Sequence, residues 1–213
     1  MIPKLHYISQ GKTPEVHLDN IENACTHGAT LVQLRLKNVS LDQVLITAKE
    51  ARAITAQYRT KLIINDHYEI AKEAKADGVH LGKTDSCPTI ARTHLYSWQI
   101  IGGTANTLED CVSLINKGVD YIGLGPLRFT STKKNLSPIL GFNGYRLITD
   151  ELKTKTPIIA IGGITTDDVT DLLETGIYGI AISGEITNDF TKIEAFQQSL
   201  GASLIEEQRH TFK

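Results

Sequence analysis

The sequence predicts a single-domain (β/α)8 barrel, a ring of eight parallel strands wrapped by helices, and three observations carry that expectation. Short apolar runs alternate with amphipathic segments along the chain, the alternation repeats eight times, and glycines and polar residues gather where the apolar runs end. Strand followed by helix, repeated, implies parallel strands joined by right-handed crossovers. A doubly wound open sheet would share the local pattern, and the count of eight favours a closed ring. With 213 residues the chain matches one domain spanning 1–213, without linker, low-complexity tract or second domain.

Lys4 to Ser9 reads as the first strand, and Pro14 to His27 as a helix carrying Val16, Ile21 and Ala24 and stopped at Gly28. Leu31 to Lys37 is the second strand. Leu41 to Tyr58 places apolar residues at 41, 44, 45, 48, 51 and 54, a helical stripe opened by Ser40 as its cap. Lys61 to Asn65 and Gly78 to Leu81 are the third and fourth strands, with a helix from Tyr68 to Ala76 between them. Cys87 to Tyr96 is less periodic and reads as one short helix. Gln99 to Gly103 is the fifth strand, Thr107 to Lys117 a helix capped by Thr107 and stopped at Gly118, and Tyr121 to Leu124 the sixth strand. A helix over Phe142 to Leu152 precedes the seventh strand, Pro157 to Ile161, and a helix over Thr166 to Glu174 follows it. Ile180 to Ser183 is the eighth strand. The terminal helix begins near Thr191, and the polar stretch from Glu206 to Lys213 is expected to fray.

Composition narrows the function classes. A net charge of −2 offers no electrostatic case for a nucleic-acid partner. No apolar run reaches the ~20 residues of a membrane span, and Met1-Ile2-Pro3-Lys4-Leu5 lacks the apolar core of a signal peptide, so a cytoplasmic location is expected. Cys25, Cys87 and Cys111 form no C-x-x-C pair and read as reduced, ordinary cysteines.

In barrels of this kind chemistry sits at the C-terminal ends of the strands. Gln33, Arg35 and Lys37 are spaced by two on the second strand, so their side chains share one face, opposite Leu34 and Leu36. An amide, a guanidinium and an ammonium aimed into a barrel call for an anionic partner, whether a ligand or internal carboxylates. Asp66 ends the third strand after Asn65, and Asp85 lies just past the fourth. Two carboxylates with substrate phosphate oxygens suit a magnesium ion, although Asp66 could instead cap a helix and Asp85 close a turn. Thr104 follows Gly102-Gly103 at the end of the fifth strand. Between the sixth strand and the following helix lies Thr130-Ser131-Thr132-Lys133-Lys134, whose hydroxyls and ammonium groups suit a phosphate ester. Gly162-Gly163, the helix start at Thr165-Thr166-Asp167, and Ser183-Gly184 form a second phosphate-facing zone. Two anion zones imply two phosphorylated substrates, with homo-oligomerisation left open. The connection from Leu127 to Gly141 is long, and a mobile lid is expected there. His67, His80 and His94 have no evident partner in the sequence and read as core or surface residues.

Taken together, Val32-Gln33-Leu34-Arg35-Leu36-Lys37, Ile64-Asn65-Asp66, Asp77 to Gly82, Gly125-Pro126 with Thr130 to Lys133, and Ala160 to Ile164 resemble the thiamine phosphate synthase family. The similarity covers nearly the whole chain, and the order of all five blocks makes it specific. It implies condensation of a pyrimidine diphosphate with a thiazole phosphate to give thiamine monophosphate and diphosphate. By that resemblance Gln33, Arg35, Lys37, Asn65 and Lys133 bind the pyrimidine substrate, and Asp66 and Asp85 hold Mg2+. Thr104 stands where the family usually has serine. Thr130, Ser131, Thr132, Gly163, Ser183 and Gly184 bind the thiazole phosphate, and Arg35, Lys37 and Lys133 stabilise the departing diphosphate. Leu36 replaces the family's usual glutamate, on the face turned away from the three polar side chains.

Two alternatives stand beside this expectation. A related thiazole tautomerase would carry a histidine just after the sixth strand and lack the Thr-x-Thr-Lys segment; here Gly125-Pro126 follows the strand and the segment is present. A non-catalytic protein binding thiamine precursors would have no need of Asp66, Asp85, Arg35 and Lys133.

Overall fold

The computed structural model describes residues 1–129 and 138–210, with side chains described through Gly201. Eight parallel strands close a barrel in sequence order: β1 (Leu5–Ile8), β2 (Leu31–Leu34), β3 (Lys61–Asn65), β4 (Gly78–Leu81), β5 (Ile100–Ala105), β6 (Tyr121–Leu124), β7 (Ile158–Ile161) and β8 (Gly179–Ile182). The last strand pairs back onto the first, with Leu5 opposite Ile180 and Tyr7 opposite Ile182. Around them run α1 (Pro14–Thr26), α2 (Leu41–Gln57), α3 (Tyr68–Glu73), α4 (Pro88–His94), α5 (Leu108–Asn116), α6 (Gly141–Leu152), α7 (Val169–Glu174), α8 (Gly184–Asn188) and α9 (Lys192–His210).

The period-two alternation of side chains along each strand divides the interior into two regions. Ile122 and Leu124 on β6, and Ile158 and Ala160 on β7, join a large apolar cluster with helix residues such as Ile21, Val44 and Ala48. Their neighbours Tyr121 and Ile159 belong to a smaller cluster, with Ile8 and Ala181, inside the ring. Helix starts follow the local sequence: the Ser40 hydroxyl accepts from the Gln43 N–H at 3.2 Å, and Thr107 and Asp110 cap each other reciprocally at the start of α5. The Tyr145 hydroxyl on α6 donates to the Leu124 carbonyl at 2.7 Å, pinning that helix to the end of β6.

Several boundaries differ from expectation for identifiable reasons. The second strand ends at Leu34 instead of Lys37 because the Arg35 N–H leaves the sheet and donates to the Ser9 hydroxyl at 3.2 Å. The helix after β3 stops at Glu73, just before Lys75 enters the left-handed region at φ 50°. A 3-10 turn, Thr166–Asp168, opens the segment expected to be one helix. The five-residue α8 carries no periodicity long enough to detect. Helical backbone continues to His210, past the point where fraying was expected. No helix among the described residues is long and apolar enough to cross a membrane, and the three cysteines are free thiols.

Candidate active site

The interior of the ring carries a polar layer beneath the C-terminal rim. Tyr121 is fully buried on β6, its hydroxyl 3.0 Å from Nδ1 of His80 and hydrogen-bonded to Gln33. Burial pushes that phenol well above its ordinary range, so it stays protonated. His80 stacks on the Tyr121 ring with centroids 5.5 Å apart, while His6 meets the same ring edge-on at 5.0 Å. Such a close ring is possible because Gly102 faces it; a methyl there would lie 2.1 Å from Cζ of Tyr121. The other histidine nitrogen, Nε2 of His80, lies 2.9 Å from the Thr104 hydroxyl, which fixes Thr104 at the floor of the cup.

Above this layer is a cavity of about 190 Å³ at the strand ends. Gln33, Arg35 and Lys37 all line it, as their shared parity predicts, together with Asn65. Leu36 instead packs in the helix-side apolar cluster. Asp66, Asp85 and Thr104 complete the polar wall, with His6 and His80 below.

Of the two cations on the second strand's extension, Lys37 alone finds a carboxylate among the described residues. Its ammonium donates to Asp66. Among the described residues the half-buried Arg35 guanidinium has no ion-pair partner. Asn65 Nδ2 is buried and has no hydrogen-bond partner among them. A buried amide N–H without an acceptor is costly unless a ligand or solvent supplies one. Cation and amide both face the same cavity, and both call for an acceptor.

Asp66 is not a helix cap; the cap position of α3 falls on His67. The His67 N–H donates to the Asn65 carbonyl at 2.9 Å, closing a three-residue turn with Asp66 at its apex at φ 70°. This is the rare, strained form of the γ-turn, and strain of this kind concentrates at functional positions. Asp85 does close a turn, accepting from the Gly82 N–H at 2.6 Å, and it also meets Asp66. Burial disfavours ionisation of Asp66, but hydrogen bonds from Lys37 and Asp85 hold its carboxyl below the ordinary range. Burial and contact with Asp66 push Asp85 above it. Two touching carboxylates whose affinities for a proton split in this way are a ready seat for a cation. No group of three or more His, Cys, Asp or Glu side chains that could hold a metal occurs among the described residues.

The β7 and β8 rim is built differently. Gly163, Ser183 and Gly184 lie at the ends of these strands, outside the lining of the cavity. The Ser183 hydroxyl donates to the Ile8 carbonyl at 2.8 Å, and Gly184 begins α8. The expected anion-ready helix start at Thr165-Thr166-Asp167 is already capped: Asp168 accepts from the Thr165 N–H at 2.7 Å and its hydroxyl at 2.9 Å. Gly125 and Pro126 follow β6, and the Leu127 and Arg128 N–H groups donate to Ile161 and Gly162. Leu140 and Gly141 return to the Pro126 and Leu127 carbonyls. The expected ligands Thr130, Ser131, Thr132 and Lys133 lie outside the described residues, as do positions 130–137 of the lid expected between Leu127 and Gly141.

Two parts of the cavity wall, His80 and His6, were not expected from sequence; their parity with Gly78 and Ile8 on their strands was the available signal.

Fold and cavity define a (β/α)8 barrel with a polar cup at its C-terminal rim, cationic on one wall and carboxylate on the next. Comparison with known proteins narrows this class. Residues 5–186 match the family described as thiamine monophosphate synthase. The chain is 46% identical over 201 residues to the thiamine-phosphate synthase of Flavobacterium psychrophilum, covering 93% of this chain and 98% of that one. It is likewise 46% identical over 211 residues to that of Flavobacterium johnsoniae, covering 96% and 100%. A solved structure of thiamine phosphate pyrophosphorylase from Pyrococcus furiosus superposes with a TM-score of 0.81 at 28% identity, covering 93% of this chain and 96% of that one. The chain belongs to the thiamine monophosphate synthase family.

Proposed function

We propose that this protein is a thiamine-phosphate synthase that joins a pyrimidine diphosphate to a thiazole phosphate in a magnesium-dependent reaction. The observation that carries the reading is the convergence of Gln33, Arg35, Lys37, Asn65, Asp66, Asp85 and Thr104 on one cavity, with the Asn65 amide and the Arg35 guanidinium both lacking an acceptor among the described residues. The name of the family and of its close relatives supports the same reaction.

In this scheme Arg35 donates to the diphosphate of the pyrimidine substrate, and the Asn65 amide and Thr104 hydroxyl orient the ring. The bond between the pyrimidine's methylene carbon and the diphosphate oxygen breaks, and the leaving group keeps the electron pair. The thiazole nitrogen supplies its lone pair to the same carbon, so no proton has to move. Charge builds on the departing oxygens, and fixed cations stabilise it best where water is excluded. Asp66 and Asp85 would hold the magnesium ion, because two touching carboxylates share, among the described residues, a single ion-paired ammonium, that of Lys37. When bound, the ion neutralises charge on the diphosphate. The remaining contribution is alignment of the two reactants. No side chain is required as a nucleophile.

The test is diphosphate release on mixing both substrates with the full chain, with and without magnesium. Product is expected only with the metal, and Asp66→Ala should reduce turnover by at least about a hundredfold. Formation of thiamine monophosphate without magnesium, or unaltered turnover in Asp66→Ala, would overturn the metal-assisted scheme.

A further inference from the structure

We propose that Arg128 and Asp168 are positioning residues that hold the Gly162–Gly163 turn in the geometry needed to receive the phosphate of the thiazole substrate; the inference rests on the synthase reading above. The pair grips the turn through side chain and main chain together. Arg128 Nη1 donates to the Gly163 carbonyl at 2.9 Å and to Asp168 Oδ2 at 2.6 Å, while Nη2 donates to Asp168 Oδ1 at 2.6 Å. The Arg128 N–H donates to the Gly162 carbonyl at 3.1 Å. Both carbonyls of the glycine pair are therefore bound by one residue. Asp168, buried and only 7% exposed, completes the frame by accepting from Thr165.

The two glycines fit this clasp because they lack a side chain. Gly162 and Gly163 have φ of 101° and 71°, in the left-handed region. A methyl on Gly162 would lie 2.5 Å from Cβ of Pro126, and one on Gly163 would lie 2.5 Å from Cγ of Arg128. The turn thus passes directly against the chain leaving β6.

A peptide plane carries its C=O and the following N–H on opposite sides. Fixing the Gly163 carbonyl on a guanidinium therefore fixes the direction of the Ile164 N–H as well. If that plane were free to rotate, a carbonyl could turn toward an incoming anion and repel it. A partly buried ion pair can be merely structural. What separates this one is its location, since the turn follows Ile161, a residue of the cavity wall.

Steady-state kinetics on the full chain with both substrates and magnesium tests the proposal. Arg128→Ala and Asp168→Asn are each expected to raise the KM for the thiazole phosphate about tenfold, the double variant no further than the larger single one. The kcat and the KM for the pyrimidine diphosphate should stay within about twofold, Arg128→Lys should recover part of the loss, and the KM for the thiazole alcohol lacking phosphate should not change. A purely structural role would lower kcat through loss of folded protein and would affect both thiazoles alike. An active wild-type enzyme whose variants keep the wild-type KM, or lose both thiazoles equally, overturns the inference alone. A wild-type protein that forms no thiamine monophosphate overturns the synthase reading and the inference with it.

Discussion

Replacement of Arg35 by methionine should separate binding from stability, and the structure sets the size of each effect. The guanidinium has no ion-pair partner among the described residues, so its removal strands no buried carboxylate. A substitution of that kind typically changes stability by no more than about 0.5 kcal/mol, and methionine keeps most of the apolar stem. At roughly 2–4 °C per kcal/mol for a chain of this size, the melting temperature should move by about 2 °C at most. Binding is another matter. Hydrogen bonds to charged groups contribute about 1.5–3 kcal/mol each, and a guanidinium can offer two parallel bonds to one phosphate. Loss of both gives about 3–6 kcal/mol, a roughly 10²–10⁴-fold weaker complex. Lys37 provides the contrast. Its ammonium is the partner of Asp66, whose side chain is only 15% exposed, so Lys37→Met should cost stability as well as affinity. Calorimetric titration with the pyrimidine diphosphate in the presence of magnesium, alongside thermal unfolding of the ligand-free protein, measures both. If Arg35→Met binds as tightly as the wild type, or melts more than about 5 °C lower, the assignment of this guanidinium to the ligand is wrong.

Two further perturbations address the layer beneath the cup. Burial lowers the His6 pKa from the ordinary 6.5 to about 4, against a raising contact with the Pro3 carbonyl. Unfolding exposes an imidazole that binds a proton more readily, so this contribution is complete above pH 6.5 and is lost as pH falls to about 4. It totals on the order of 3 kcal/mol; urea midpoints of His6→Asn should be flatter than wild type across that window, and parallel curves would refute the assignment. Gly102→Ala places a methyl 2.1 Å from Cζ of Tyr121, which must move and take His80 with it. About 1–3 kcal/mol of destabilisation is expected by denaturant titration, with reduced turnover, and wild-type stability would show that the ring had room after all.

What could be read from the sequence follows the range of the interactions concerned. The wall formed by Gln33, Arg35 and Lys37 was legible because strand parity is local: three residues two apart must share a face, and Leu36 between them must turn to the helices. The structure places all four so, and the departure of Leu36 from the family's glutamate falls in the apolar packing outside the ring. The identity of the eight strands was legible for the same reason. His80 was not, because its role depends on Tyr121, 41 residues away, and on Thr104, 24 away. The clasp of Arg128 on Asp168 spans 40 residues and leaves no periodic trace. The γ-turn at Asp66 is a backbone event at a residue that tolerates positive φ without advertising it.

Four aspartates next to strands illustrate how position decides what a carboxylate does. Asp77 and Asp120 stand just before β4 and β6, at the N-terminal end of the barrel, where strand N–H groups await acceptors. Asp77 accepts from the Leu62 N–H at 2.9 Å and from Arg52 at 2.8 Å. Asp120 accepts from the Ile101 N–H at 2.7 Å and from Arg92 at 2.6 Å. Each accepts from a backbone donor and a guanidinium, with the Lys61 ammonium also 3.9 Å from Asp77, and each thereby ties a helix to the neighbouring strand. Asp66 and Asp85 stand past the opposite ends of β3 and β4, where the sheet presents carbonyls instead of donors. Among the described residues Asp66 is ion-paired with the Lys37 ammonium and Asp85 accepts from a turn amide, and the two carboxylates meet each other. On β4, which has Asp77 before it and Asp85 after it, the same residue type therefore does different work at the two ends: a staple between helix and strand at one, and half of a pair of touching carboxylates in the cavity wall at the other.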